Sequence, residues 1–241
     1  MINPPATDAL EDRVASLPWA ELQDALDGQG FAQTPVLLAA RECSALAALY
    51  ESNSFRSTVA MGRHRFGEGE YKYFADPLPA AVGELRASLY PPLAALANRW
   101  AERLGEDVRY PATLRAFLGR CRRAGQARPT PLMLRYGAGD WNALHQDLYG
   151  ALAFPFQAVT VLDQPGRDFQ GGEFVLLEQR PRAQSRAHVA QLQRGAFLIF
   201  TTSQRPVRGS RGFYRSAVRH GVSTVTSGRR TTLGIIFHNA A

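Results

Sequence analysis

Apolar residues recur at helical spacing in the first half of the chain and in short alternating or continuous runs in the second. Leu17, Trp19, Leu22, Ala25 and Leu26 mark one face of a helix over 16–27, with Pro18 accommodated in its first turn and Gly28 or Gly30 as its stop. A second helix is expected over 41–51. Residues 57–75, with Tyr71, Tyr73 and Phe74 around Gly67 and Gly69, read as two short strands joined by a glycine turn. A long helix is expected over 79–104, interrupted at Pro91-Pro92 where two amide donors are missing. Another follows over 112–122. Residues 1–9 carry no pattern and are expected to fray.

After Pro129-Thr-Pro131 the texture changes. Strands are expected over 133–136, 156–162, 173–177, 188–191, 196–200, 213–220 and 231–238, separated by turn residues. This spacing suits a double-sheet jelly roll. The fold class is therefore α+β: a double-stranded β-helix (jelly-roll) core with N-terminal buttressing helices. Within one structural domain, residues 1–129 form a helical extension with a β-hairpin lid, and 130–241 form the catalytic core.

Composition changes this picture little, and charge changes it more. The 241 residues carry 28 basic and 21 acidic side chains, a net charge of +7, and Lys72 is the sole lysine. Such a balance suits an anionic partner, nucleic acid among them, although a GC-rich coding sequence also yields arginine in place of lysine. Cys43 and Cys121 form neither a metal-ligand spacing nor a disulfide framework. The start of the chain lacks signal-peptide character and no apolar run reaches membrane-spanning length, so a cytoplasmic protein with no membrane partner is expected.

The chemistry lies in two separated segments. His145 and Asp147 are two apart, so on an extended segment both side chains share a face. His220 follows far downstream at the end of a predicted strand. Two imidazoles and one carboxylate on one face of an iron leave the other face open, as in non-heme Fe(II) sites; a structural zinc would want a closed fourth ligand, which neither cysteine supplies. Arg230, ten residues after His220, offers a bidentate fork to an acidic co-substrate, and Tyr136 can add a hydroxyl donor. Arg229 faces the other way on a regular strand. Arg63-His64-Arg65 and Lys72 with Phe66, Tyr71, Tyr73 and Phe74 form either a basic aromatic lid that stacks on a base or a hairpin packed on the core. Arg180-Pro-Arg182 through Arg186 is either a phosphate-contacting loop or a solvated arginine run. His188 and His238 have no ligand-like partners in sequence.

His145-x-Asp147, His220 and Arg230, with Gly171-Gly-Glu-Phe174 before a strand, resemble the 2-oxoglutarate/Fe(II)-dependent dioxygenase superfamily, near its prolyl-hydroxylase-like branch. More narrowly, the chain is similar over residues 30–240 to the bacterial Oxygenase-NA family, oxygenases taken to act on damaged nucleic acid. That likeness is carried by Phe66-Gly-Glu-Gly-Glu-Tyr-Lys-Tyr-Phe74, Ala124-Gly-Gln-Ala-Arg-Pro-Thr-Pro-Leu132, His145-Gln-Asp-Leu-Tyr-Gly150, Gly171-Gly-Glu-Phe-Val-Leu-Leu-Glu-Gln-Arg-Pro181 and Gly228-Arg-Arg-Thr-Thr-Leu-Gly-Ile-Ile-Phe-His238. The resemblance implies Fe(II) held by His145, Asp147 and His220, and 2-oxoglutarate anchored by Arg230 and Tyr136, with O₂ as the second co-substrate. It implies hydroxylation or oxidative demethylation of an organic substrate such as alkylated DNA or RNA. Arg230-Thr-Thr-Leu-Gly-Ile departs from the two-arginine pattern of DNA-demethylating members and is closer to protein hydroxylases, so a protein side chain or free amino acid is the alternative substrate. A non-catalytic jelly-roll binding module is the third reading.

Overall fold

A computed structural model describes residues 9–147 and 150–241. Two short helices come first, α1 (Leu10–Ala15) and α2 (Trp19–Gln29), then strand β1 (Phe31–Val36) and helix α3 (Ala40–Ala48). Strands β2 (Phe55–Ala60), β3 (Gly67–Glu68) and β4 (Glu70–Phe74) lead into the long helix α4 (Ala80–Arg103) and then α5 (Leu114–Arg123). Eleven strands follow. They are β5 (Leu132–Tyr136), β6 (Trp141–His145), β7 (Phe156–Val161), β8 (Phe169–Gly171), β9 (Phe174–Gln179) and β10 (Arg186–Ala190), then β11 (Ala196–Thr201), β12 (Gln204–Gly209), β13 (Gly212–Val222), β14 (Val225–Gly228) and β15 (Arg230–Ile236). The expected fraying of residues 1–9 falls, but for Ala9, outside the described residues.

Seven strands form the major sheet in the order β1-β11-β7-β15-β5-β4-β2. The minor sheet runs β10-β9-β13-β6-β3, with β12 paired to β13, and β14 pairs with β8. All of these named pairings are antiparallel. This is the expected jelly roll with helices packed on one side. The central strands β7, β11 and β15 are buried on both faces, which is why β7 and β11 read as nearly continuous apolar runs. Alternate residues serve opposite faces: Phe197 and Ile199 meet the helices, while Leu198 and Phe200 meet the minor sheet.

α4 is the main buttress. Its buried ladder of Val82, Leu85, Leu89, Leu93, Leu96 and Trp100 runs straight past Pro91-Pro92, so the expected interruption does not occur. Pro91 and Ala87 lie on the exposed side, where water can satisfy the carbonyl that a missing proline amide leaves free. Buried Arg86 ties this helix to the end of β15. Its Nε donates to the Ile236 carbonyl at 2.8 Å, and Nη2 donates to the carbonyls of Phe237 and His238 at 3.0 Å each and to Asn239 Oδ1 at 2.8 Å. No described helix is long and apolar enough to cross a membrane.

Candidate metal and co-substrate site

β6 and β13 are neighbours in the minor sheet, and their antiparallel register sets His145 directly opposite His220. Asp147 follows two residues after β6 ends and is buried. His145 Nε2 lies 3.4 Å from Asp147 Oδ1, and His220 Nε2 lies 3.4 Å from Asp147 Oδ2. One ligand atom from each residue falls within 4.8 Å of the others, the only such cluster among the described residues. The two remote segments therefore meet as their spacing suggested.

The donors suit a metal. His145 Nδ1 sits 2.7 Å from the Ala143 carbonyl, which fixes the tautomer that leaves Nε2 free to coordinate. His220 is held by rings instead, stacked on Phe174 at 5.8 Å and tilted against Phe200 at 4.7 Å, while its Nδ1 is buried without a partner. Burial alone would push the Asp147 carboxyl up. The hydrogen bonds and charges of the two imidazoles overturn this and hold it well below the usual carboxylate range. Burial pushes the His220 imidazole down, towards the neutral form a metal needs. At His145 the pull of Asp147 outweighs desolvation and moves it up.

Gln157, which sequence reasoning did not single out, donates from Nε2 to Asp147 Oδ2 at 2.8 Å. It leaves Oδ1 as the less committed carboxylate oxygen. Its signal in the sequence is a polar side chain inside the otherwise apolar run of β7.

The triad opens into a cavity of about 340 Å³ between the two sheets, and Arg230 and Tyr136 line the same cavity. These two are also register partners, across β15 and β5. The Arg230 guanidinium is 5.5 Å from the Tyr136 ring centroid, and only 2% of the residue is exposed. Its Nη2 is buried with no hydrogen-bond partner. Desolvation lowers its pKa against the pull of Tyr136, Asp163 and Glu173. Burial pushes the Tyr136 phenol up to about 12, so it stays a donor, and its oxygen accepts from Asn142 Nδ2 at 3.3 Å. Arg229 is exposed and turned to the other side, beside Tyr50 and Arg135.

Three glycines shape the walls. A Cβ on Gly69 would fall 2.9 Å from the Tyr136 ring, and one on Gly67 would fall 2.3 Å from the Trp141 carbonyl, so both residues of this turn must be bare. A Cβ on Gly172 would meet Arg230 Cδ at 2.8 Å.

The hairpin residues divide. Met61, Phe66, Tyr71 and Tyr73 line the cavity, and Phe66, stacked on His64, remains 41% exposed at its edge beside exposed Arg63 and Arg65. Lys72 instead lies 4.2 Å over the Tyr50 ring, and Phe74 is in the helix-side core. His188 packs edge-on against Phe31, and buried His238 accepts from the Phe154 amide through Nδ1. Leu148 and Tyr149, part of the family likeness, lie outside the described residues.

A family profile described as "Oxygenase, catalysing oxidative methylation of damaged DNA" matches residues 69–240. The chain belongs to this family, Oxygenase-NA. Membership makes it an oxygenase, and so an oxidoreductase. It is 52% identical over 168 residues to Uncharacterized protein Rv2227 of Mycobacterium tuberculosis, covering 70% of this chain and 72% of that one. Among solved structures, it is similar to an oxidoreductase of the 2OG-Fe(II) oxygenase family from Burkholderia pseudomallei, with a TM-score of 0.55, 18% identity and 92% of each chain covered. A prolyl-4-hydroxylase from Pseudomonas putida is similar with a TM-score of 0.53 and 16% identity, over 92% of this chain and 99% of that one. At these identities the solved structures establish the jelly-roll fold.

Proposed function

We propose that this Oxygenase-NA member is an Fe(II)- and 2-oxoglutarate-dependent dioxygenase whose primary substrate is an alkylated base in nucleic acid. His145, Asp147 and His220 are its iron ligands, and Arg230 with Tyr136 anchors the co-substrate. The observation that carries this reading is the buried Arg230 guanidinium, whose Nη2 has no hydrogen-bond partner, in the cavity that holds the triad. A buried charge without a partner is costly, and a carboxylate supplied by a ligand removes that cost. Tyr136, kept protonated by burial, donates its hydroxyl to the same carboxylate.

Iron with 2-oxoglutarate and O₂ supplies oxidation of a substrate C–H bond, with 2-oxoglutarate leaving as succinate and CO₂. The chain supplies the rest. Gln157 holds Asp147 in one orientation; Phe174 and Phe200 fix the His220 ring and keep water from it. Met61, Tyr71 and Tyr73 give the cavity apolar and aromatic walls of the kind that accept a planar base. The edge formed by Arg63, His64, Arg65 and Phe66 adds cations and a stacking ring outside it. Hydroxylation of an N-methyl group gives an unstable hemiaminal that releases formaldehyde.

The test is turnover with Fe(II) and 2-oxoglutarate on N-methylated oligonucleotides, peptides and free amino acids. Formaldehyde in step with succinate, from the oligonucleotides, is the expected result. A peptide or amino acid gaining one oxygen atom, with no formaldehyde from any oligonucleotide, would move the substrate to the protein-hydroxylase class.

A further inference from the structure

Gln146 stands between two proposed iron ligands in sequence, and its side chain is tied to neighbouring backbone. Its Nε2 donates to the carbonyls of Ser203 at 2.7 Å and Val218 at 2.9 Å. On one side Gln146 lines the metal cavity; on the other it lines a second, open groove walled by Arg180, Arg182, Arg215 and Gln204. The Arg180-Pro-Arg182 run thus lies one side chain away from the reaction centre.

We propose that this groove carries the phosphate backbone of a single-stranded nucleic acid whose modified base enters the metal cavity. The proposal rests on the nucleic-acid reading of that cavity. Charge supports it first. Buried Glu178 receives Arg205 at 2.8 Å and lies 3.5 Å from Arg180, so one carboxylate faces two guanidiniums and leaves a positive excess at the groove. Arg215 pairs with Glu106 at 3.0 Å, yet its side chain is 51% exposed. Arg182 makes no ion pair among the described residues. Two positions beyond Ala217, which also lines the groove, exposed Arg219 extends the basic face along β13.

Rigidity is the second support. Arg182 takes a left-handed φ of 60°, uncommon for a residue with a side chain, in a turn that is pinned from inside. Gln179 donates to the carbonyls of Arg180 and Ala183 and accepts from the Ser185 hydroxyl. The main chain that presents the two arginines is therefore ordered before a phosphate arrives, and that part of the ordering cost is not met on binding. Backbone contacts of this sort set register and leave base recognition to the cavity. A base must also leave its stack to enter a buried site, which a single strand permits at least cost.

The experiment compares wild type, Arg180→Glu/Arg182→Glu and the control Arg115→Glu, whose target is an exposed residue of α5. The probe is a single-stranded oligodeoxynucleotide carrying one N-methylated base, with the matching methylated nucleoside as second substrate. Thermal melting confirms that each variant folds. The double variant is expected to raise the oligonucleotide KM roughly tenfold or more with kcat near wild type. It should also flatten the dependence of log KM on log salt by about 1.4, because two phosphates of the single strand are no longer neutralised. The nucleoside KM should not move. An oligonucleotide KM and salt slope equal to those of Arg115→Glu, while wild type processes the oligonucleotide, would overturn the groove and spare the substrate reading. Wild type that processes neither probe overturns both.

Discussion

Replacing Arg230 with Met is expected to act in opposite directions on the free and the ligand-bound protein. Met keeps the length of the side chain and removes the charge. In the free protein Arg230 is 2% exposed, and its Nη2 has no partner. Its nearest carboxylates are committed elsewhere: Glu173 accepts from the Ser223 hydroxyl, and Asp163 accepts from the Thr231 amide at 2.6 Å. Neither is orphaned by the substitution. Exchanging a buried charge for an apolar side chain of similar volume stabilises by about 1–3 kcal/mol, after allowing for the cation–π attraction to the Tyr136 ring that Met cannot supply. For a chain of this size that is a rise of roughly 3–10 °C in melting temperature. Binding responds the other way. Removing one partner of a buried charge pair costs about 2–5 kcal/mol, or about 30- to 5,000-fold in affinity for 2-oxoglutarate. The assay is thermal melting with Mn(II) in place of iron, with and without the co-substrate. At a concentration 100 times the wild-type Kd, 2-oxoglutarate should stabilise wild type by about 2.7 kcal/mol and R230M by less than about 1 kcal/mol. Adding ligand should therefore shift the difference between the two proteins by roughly 2–3 kcal/mol in favour of wild type. R230M melting below wild type without ligand, and keeping the full ligand shift, would refute the assignment of Arg230.

Asp147→Asn removes the proposed anionic ligand and should abolish succinate formation and lower Mn(II) affinity by at least about tenfold, read by calorimetry. Gly172→Ala drives a methyl group against Arg230 Cδ at 2.8 Å and Val225 Cγ2 at 2.8 Å, at a φ of 64°. It should raise the 2-oxoglutarate KM severalfold more than it changes that of the primary substrate; equal effects would remove Gly172 from the co-substrate wall. Burial, helped by the Arg86 charge, pushes His238 down to about 4, and Nδ1 must stay unprotonated to accept the Phe154 amide. Above pH about 6.5 folded and unfolded chains both hold it neutral; below that only the unfolded chain takes the proton, so stability falls by about 2 kcal/mol at pH 5. In urea melts His238→Asn should lose that part of the pH dependence, and an unchanged slope would contradict it. We also propose that residues 1–129 and 130–241 form one cooperative unit, because β4 pairs with β5 and β1 with β11. One coincident transition by fluorescence and circular dichroism is expected, and two separated ones would split the chain.

The two-residue spacing of His145 and Asp147 anticipated that they lie together with His220, although β6 ends at His145 and Asp147 is carried by the segment that follows. Arg230 and Arg229 part as strand alternation suggests, one buried and the other exposed. The jelly roll showed in runs such as β7 and β11, whose double burial makes them continuous. Other elements were hidden by local exceptions. β1 contains Pro35, which reads as a breaker, but it is an edge strand with irregular register between Gln33 and Val36, where a missing amide is tolerated. β12 hides behind Pro206 in the same way, off the main path of its sheet. The two prolines of α4 misled in the other direction, because the apolar ladder on its inner face holds the helix across them. Gln157 and Gln146 were missed because their roles are set by neighbours that only folding brings close.

Both halves of the proposed reaction centre are cross-strand partners: His145 faces His220 on one sheet, and Arg230 faces Tyr136 on the other. Each pairing is written into the backbone ladder before any ligand arrives. A single residue inserted within β6 or β15 would swing the side chains beyond it to the opposite face and disarm that half of the centre; in β15, buried on both faces, it would disturb the hydrophobic core as well. Natural length variation in relatives should therefore gather in the turns, and these four strands should tolerate exchange of residues but not a change in their number.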